Sequence, residues 1–240
     1  MEIWIGSLLD GAAQARGSVA IIDVFRAFTT AAVVLANGAS QITMVSTVEE
    51  ALALRKSGLA QICMGEVGGR APAGFDFGNS PFEVSSVNFA GKSIVQRTSA
   101  GTQGIVAARH AERLYATSLV TARATARALS SSASSRISLV AMGNNAIVRT
   151  DEDELCALHL RNLLEDRRGD AHAVRRVILA GGDALRFHDP SRPHLDRRDL
   201  DIALDVDRYD FAIRTVLEDG RPVARAEIMG DTGLLRGTTA

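Results

Sequence analysis

Over residues 1–165, apolar and polar positions follow a repeating pattern: short runs rich in β-branched residues, each followed by a longer segment with helical spacing. VAIIDVF (19–25) predicts a buried strand, and TTAAVVLANGA (29–39) predicts a helix closed by Asn37-Gly38, a pair suited to a helix C-cap. QITMVS (41–46) is the next strand. Thr47 and Glu50 then form a capping box for a helix through VEEALALRKSG (48–58), and QICMG (61–65) is a further strand. After a loop over 66–82, strands are predicted at KSIVQRT (92–98), RLYATS (113–118) and RISLVAMG (136–143). Helices are predicted at GTQGIVAARHA (101–111), TARATARALSSS (121–132) and DEDELCALHLRNLLED (151–166). The acids opening the last of these suit a helix N-terminus. Alternation of this kind predicts an α/β fold, a three-layer α/β/α arrangement with a largely parallel or mixed sheet.

Beyond residue 167 the pattern loosens. AVRRVILAGGDALRF (173–187) predicts a helix, HDPSRPHL (188–195) a loop and DRRDLDIALDVD (196–207) a short helix. FAIRTVLEDGRPVARAE (211–227) predicts a hairpin turning at Asp219-Gly220, and GDTGLLRGTTA (230–240) a loose tail. There is no internal repeat and no low-complexity linker, so 1–240 reads as a single domain with a less regular C-terminal part from about 167 to 240.

Composition narrows the class of function. Apolar residues are 46% and charged residues 23% of the chain, the balance of a globular protein with a large core. With 27 basic and 28 acidic residues, net charge is −1, which gives no footing for nucleic acid or a membrane surface. Cys63 and Cys156 stand far apart in apolar surroundings, against a disulfide framework or zinc cluster and in keeping with a reducing compartment. MEIWIGSLLDG lacks a basic signal-peptide start, and runs such as TAAVVLA are too short to span a bilayer, so the cytoplasm is the expected location. A homo-oligomer stays open.

In parallel α/β sheets, ligands bind beyond the carboxyl ends of the strands. That rule selects Asp23 and Arg26, then Glu66, then Arg97, Thr98 and Ser99, then Asn144 and Asn145. RTSAGTQG (97–104) is a strand–turn–helix junction whose backbone N–H groups and hydroxyls could hold a phosphate, or it is an ordinary capped turn; it lacks the P-loop pattern. Carboxylates beside a phosphate call for a cation, and Asp23, Glu66, Asp76 and Glu83 are the candidate ligands of Mg²⁺. Asp23 fits a plain surface role least, because it ends an apolar run. The stretch GFDFGNSPFEV (74–84) sets Asp76, Asn79, Ser80 and Glu83 within eight residues. Ser80, Pro81 and Glu83 also read as a helix start with its cap. Cys63 reads as core, His188 and His194 as loop residues, and DEDE (151–154) as a helix-start cluster from which Glu152 or Asp153 could reach the same cleft.

Taken together, the motifs resemble a known family. IIDVFRAFTTAAVVLANGA, GEVGGRAPAGFDFGNSPFE, RTSAGTQGI and VAMGNNAIVRTDEDELCA are similar to segments of the 2-phosphosulfolactate phosphatase family, over about residues 18–165. The resemblance implies a three-layer α/β/α fold and a Mg²⁺-dependent acid phosphatase of coenzyme M biosynthesis, which hydrolyses (2R)-2-phospho-3-sulfolactate to 3-sulfolactate and phosphate. It implies catalytic roles for Asp23, Arg26 and Glu66, and substrate contacts from Thr29, Thr30, Asp76, Asn79, Ser80, Arg97, Thr98, Ser99, Gly101 and Thr102. Arg70 or Arg97 could take the sulfonate or carboxylate. Val67 and Ala100 depart from the family pattern by removing polar groups, which leaves another small phosphoester, or binding of an anionic metabolite without turnover, as alternatives.

Overall fold

The computed structural model describes residues 1–167 and 169–228. The first parallel group of strands is β1 (Glu2–Ser7), β2 (Gly17–Ile22), β6 (Ala111–Thr117) and β7 (Arg136–Ala141). The second is β3 (Gln41–Val45), β4 (Ile62–Gly65) and β5 (Ser93–Arg97). β8 (Ala212–Glu218) and β9 (Arg221–Glu227) form the predicted hairpin. The helices in chain order are α1 (Leu8–Gln14), α2 (Ala27–Ala36), α3 (Val48–Lys56), α4 (Pro81–Val84) and α5 (Gly101–Ala107). They continue with α6 (Ala122–Ser130), α7 (Asp151–Leu164), α8 (Ala171–Ala180), α9 (Gly182–Leu185) and α10 (Arg198–Ala203).

The nine strands of the described residues join in one sheet, in the order β1-β7-β2-β6-β8-β9-β3-β5-β4. The hairpin lies in the middle, antiparallel to β6 on one side and to β3 on the other. The least regular third of the sequence therefore supplies the seam that unites the two parallel groups. Ile21, Phe28, Met44, Met64, Ile105 and Val140 share one core, so α2 and α5 are packed against both groups at once. The outer face of the first group carries α6, α7 and α8 around Ile22, Tyr115, Leu139 and Leu160, and that of the second carries α3 around Val45, Leu54 and Cys63. Helices thus cover both faces, as the α/β/α expectation required. α2 is apolar nearly all round because sheet and helices enclose it; from Ala27 to Leu35 every residue is buried.

Local chemistry explains where elements differ from the expectation. The strand expected to reach Phe25 ends at Ile22, because the Asp23 carboxylate accepts the Ala27 N–H at 2.9 Å and starts α2. The single helix expected over 173–187 breaks at Gly181 into α8 and α9. A Cβ on Gly181 would lie 1.5 Å from Asp151 Oδ2, so a carboxylate from α7 occupies the space that a continuing side chain would need. β1 and α1 were not expected from MEIWIGSLLDG, yet β1 is an edge strand that pairs along its whole length with β7. Thr47 caps α3 as expected, its hydroxyl accepting the Glu50 N–H at 3.1 Å. The tail GDTGLLRGTTA lies outside the described residues. Among the described residues no helix is long and apolar enough to cross a membrane.

Candidate active site

Asp23, just beyond β2, and the turn from β5 into α5 meet although β6, β8, β9 and β3 stand between their strands in the sheet. The Gly101 N–H donates to Asp23 Oδ2 at 2.8 Å. This approach dictates the residue at 101: a Cβ there would sit 2.8 Å from that same oxygen. Glu66, beyond β4, joins the same turn, accepting the Ser99 N–H at 2.5 Å and the Gly69 N–H at 2.6 Å. Both carboxylates are nearly excluded from solvent. Burial pushes the Asp23 carboxyl up to about 6, with the Glu66 charge adding to it and the Ala27 and Gly101 N–H groups and Arg26 opposing it.

A cleft of about 190 Å³ opens here. Asp23, Arg26, Glu66, Asn79, Ser99 and Glu152 line it, with Gly68-Gly69, the Asn144-Asn145 turn and the segment Arg186–Leu195 around them. Arg26 is held from behind: its Nη1 donates to Asp199 Oδ2 at 2.7 Å and to the His194 carbonyl at 3.1 Å. Asp199 is fully buried and also accepts from the Ser80 hydroxyl at 2.6 Å and the Phe82 N–H at 3.0 Å. One carboxylate from the C-terminal region therefore locks Arg26 and the GFDFGNSPFE loop into a single frame.

α7 supplies the remaining acids. Asp153 accepts N–H groups from Val24 at 2.7 Å and Gly143 at 2.8 Å, tying the ends of β2 and β7 together. Burial first, then the Asp23 charge, raises its carboxyl well above the usual range. Glu152 is buried, and its Oε2 has no hydrogen-bond partner among the described residues. Burial, followed by the charge of Asp153, pushes it up to about 10.

The predicted site residues divide by position. Asp23, Arg26, Glu66, Asn79 and Ser99 converge on the cleft, and Ala100 lines it too. The hydroxyls of Thr29 and Thr30 turn back onto the Val24 and Arg26 carbonyls. Thr98 and Thr102 bond each other, each hydroxyl accepting the other's N–H, at 3.0 and 2.8 Å, which fastens the turn from inside. The turn proposed for a phosphate thus spends the N–H groups of Ser99, Gly101 and Thr102 on the protein's own oxygens. Arg97 is likewise engaged, by the Ser46 and Glu66 carbonyls and the Ser99 hydroxyl.

Asp76 lies at the edge of β4, where it accepts the Cys63 N–H at 2.8 Å and pairs with Arg55 at 2.7 Å. Glu83 accepts the Gly78 N–H at 3.1 Å, while its own N–H donates to Ser80 Oγ at 3.1 Å. Ser80 is therefore a cap, and Asp76 and Glu83 are fasteners of the loop rather than part of the cleft wall. Arg70 is exposed near His194. Cys63 is core, its thiol pushed up to about 12 by burial. Sequence reasoning missed Asp199 altogether. Asp153 and Glu152 carried a signal, since Asp153 shares the buried stripe Cys156, Ala157 and Leu160 at helical spacing.

Known proteins resemble this chain along much of its length. The sequence pattern of the family described as 2-phosphosulpholactate phosphatase matches residues 7–187. A Bacillus subtilis protein named probable 2-phosphosulfolactate phosphatase is 30% identical over 204 residues, covering 83% of this chain and 87% of that protein. A Deinococcus radiodurans protein of the same name is 40% identical over 174 residues, 69% of this chain and 72% of that one. One from Thermotoga maritima is 38% identical over 159 residues, 66% and 68% of the two chains. With its α/β/α sheet, its cleft at the strand ends and these relatives, the chain belongs to the 2-phosphosulpholactate phosphatase family of phosphoric monoester hydrolases.

Proposed function

We propose that the cleft hydrolyses 2-phospho-3-sulfolactate to 3-sulfolactate and phosphate with the help of Mg²⁺ held by Asp23 and Glu66. The observation that supports this most is the meeting of these two buried carboxylates on one turn. Each of their oxygens receives a backbone N–H; Glu66 Oε2 also accepts the Ser99 hydroxyl at 3.2 Å, and the other three keep lone-pair capacity. Two carboxylates with further positions left to water and phosphate is the ligand pattern that Mg²⁺ favours. When bound, Mg²⁺ supplies charge neutralisation at the phosphoryl oxygens and acidifies a water molecule.

The chain's own residues do the rest. Phosphoryl transfer asks mainly for positioning and charge neutralisation. Arg26, fixed by Asp199 and stacked 5.8 Å from the Phe187 ring, presents its guanidinium at the cleft wall to the substrate phosphate. Asn79 Oδ1 is buried without a partner among the described residues, which leaves that oxygen for substrate or water. Burial raises the Asp23 carboxyl to about 6 in the metal-free fold; as a Mg²⁺ ligand it would be held ionised, so its role is to orient rather than to accept a proton.

One observation favours a second reading. Ala100 lines the cleft with a methyl group, whereas Val67 is 47% exposed and lies outside the lining. The altered pocket at 100 suits a related 2-phospho acid, such as 2-phospholactate. The test is phosphate release from 2-phosphosulfolactate and 2-phospholactate, with Mg²⁺ and after chelation. Release that requires Mg²⁺ supports the proposal; release unaffected by chelation, or none from either compound, sinks it. A protein that only binds the anion would show a Tm raised by the anion and not by Mg²⁺.

A further inference from the structure

We infer a divalent-cation site, separate from Asp23 and Glu66, formed by Asp151, Glu152 and Asp183 where the start of α7 meets α9. It does not depend on the proposed reaction. Carboxylate oxygens of the three residues all lie within 4.8 Å of one another. The second, independent sign is an unpaired ligand atom: Glu152 is only 2% exposed, yet its Oε2 has no partner among the described residues. Asp151 Oδ1 is also buried and without a partner among the described residues.

The seat for Asp151 is built. Its Oδ2 fills the space where a side chain at 181 would begin, and the chain has glycine there. Gly181 takes an extended ψ of 165 that any residue adopts, so the carboxylate, and not the backbone angle, demands the glycine. Charge balance points the same way. Arg186 pairs with Asp183 at 2.9 Å. That is one cation against three carboxyl groups, and a bound dication would expel the proton that Glu152 otherwise holds. Asp153, the next acid on α7, is already satisfied by the Val24 and Gly143 N–H groups.

With carboxylates and neither thiolate nor imidazole in the set, the ion is a hard one, of the Mg²⁺, Mn²⁺ or Ca²⁺ class. Its place gives it a task. It ties α7 to α9, and the turn directly after α9 carries Arg186 and Phe187 into the cleft wall.

The test is a crystal of the full chain soaked in Mn²⁺ and examined by anomalous scattering. A peak within about 2.1–2.4 Å of oxygens from Asp151, Glu152 and Asp183 is expected. A peak at Asp23 and Glu66 alone overturns this site and leaves the proposed function standing; no peak overturns it as well. A peak at the triad in a protein lacking Mg²⁺-dependent phosphatase activity keeps this site and rejects the proposed function. In solution, Mn²⁺ titration of Asp183→Asn should show one class of binding weakened at least about tenfold. Binding unchanged in that variant contradicts the assignment, and the soak does not depend on the variant folding.

Discussion

Asp23 and Glu66 stand at strand ends, while Asp76 and Glu83 stand in the loop GFDFGNSPFE; all four carry the same functional group, and only the first pair opens onto the cleft. The backbone treats the two pairs alike, satisfying carboxylate oxygens with N–H groups in both. The difference lies in solvent and neighbours. Asp76 is 28% exposed and meets Arg55, so its charge is matched where it stands. Asp23 is 5% exposed, has Glu66 close by, and its carboxyl is raised by burial. A carboxylate with its charge matched locally is a fastener, whereas one left short of positive charge in a cleft can serve as a ligand or a base.

The largest way to break this distinction is Gly101→Ala. The added methyl would meet Asp23 Oδ2 at 2.8 Å and the Phe28 ring at 2.9 Å, so Asp23 or the core beside it must give way, while no loop acid is touched. A loss of roughly 10²-fold in kcat is expected for a displacement of that size at a reacting centre, with phosphate release as the measurement. Next comes Asp199→Ala, which strands Arg26 in the interior and frees Ser80. Removing one partner of a buried ion pair costs about 3–5 kcal/mol, readable by urea unfolding, and here the loop and the cleft should fail together. Asp76→Asn should cost only about 1 kcal/mol, because a half-exposed pair with Arg55 contributes little and the amide oxygen can still accept the Cys63 N–H.

The smallest effect is a pH dependence in chelated protein. Glu152 holds its proton up to about 10 in the fold against an ordinary 4.5. The folded protein is therefore protonated there where the unfolded chain is not, and stability drains as pH rises through that window. Glu152→Gln removes the drain. Its Tm should exceed that of the wild type by a few degrees, with a gap that widens from pH 5 to pH 8, since about 1 kcal/mol moves a chain of this size by roughly 2–4 °C. A gap that narrows with pH would mean that Glu152 is charged and paired in the fold.

The strands and helices of residues 17–165 were legible because each buries one face, and burial writes its period into the sequence. Asp23, Arg26 and Glu66 were legible as a group because the strand-end rule needs only the order of elements. That Asp76 and Glu83 stand off the cleft wall was not legible, because sequence proximity to a strand end does not reveal which side of the loop faces the cleft. Arg55, 21 positions before Asp76, decides that, and the pairing exists only in space. Asp199 was invisible for the same reason. It contacts Ser80 across 119 positions and Arg26 across 173. Nothing in DRRDLDIALD marks one of its acids as buried. The seam hairpin was readable as a hairpin, yet its place between β6 and β3 follows from long-range pairing that no local pattern records.

The paired assay of Asp23→Asn and Asp76→Asn bears most directly on the central claim, that carboxylates at the strand ends and not those of the loop carry the chemistry. Both variants remove one negative charge and keep the side-chain shape. Measured as Mg²⁺-dependent phosphate release from 2-phosphosulfolactate, kcat should fall by roughly 10²-fold or more in Asp23→Asn, the scale of a lost or misdirected metal ligand, and stay within a few-fold of wild type in Asp76→Asn. Equal losses in the two, or full activity in Asp23→Asn, would contradict the account.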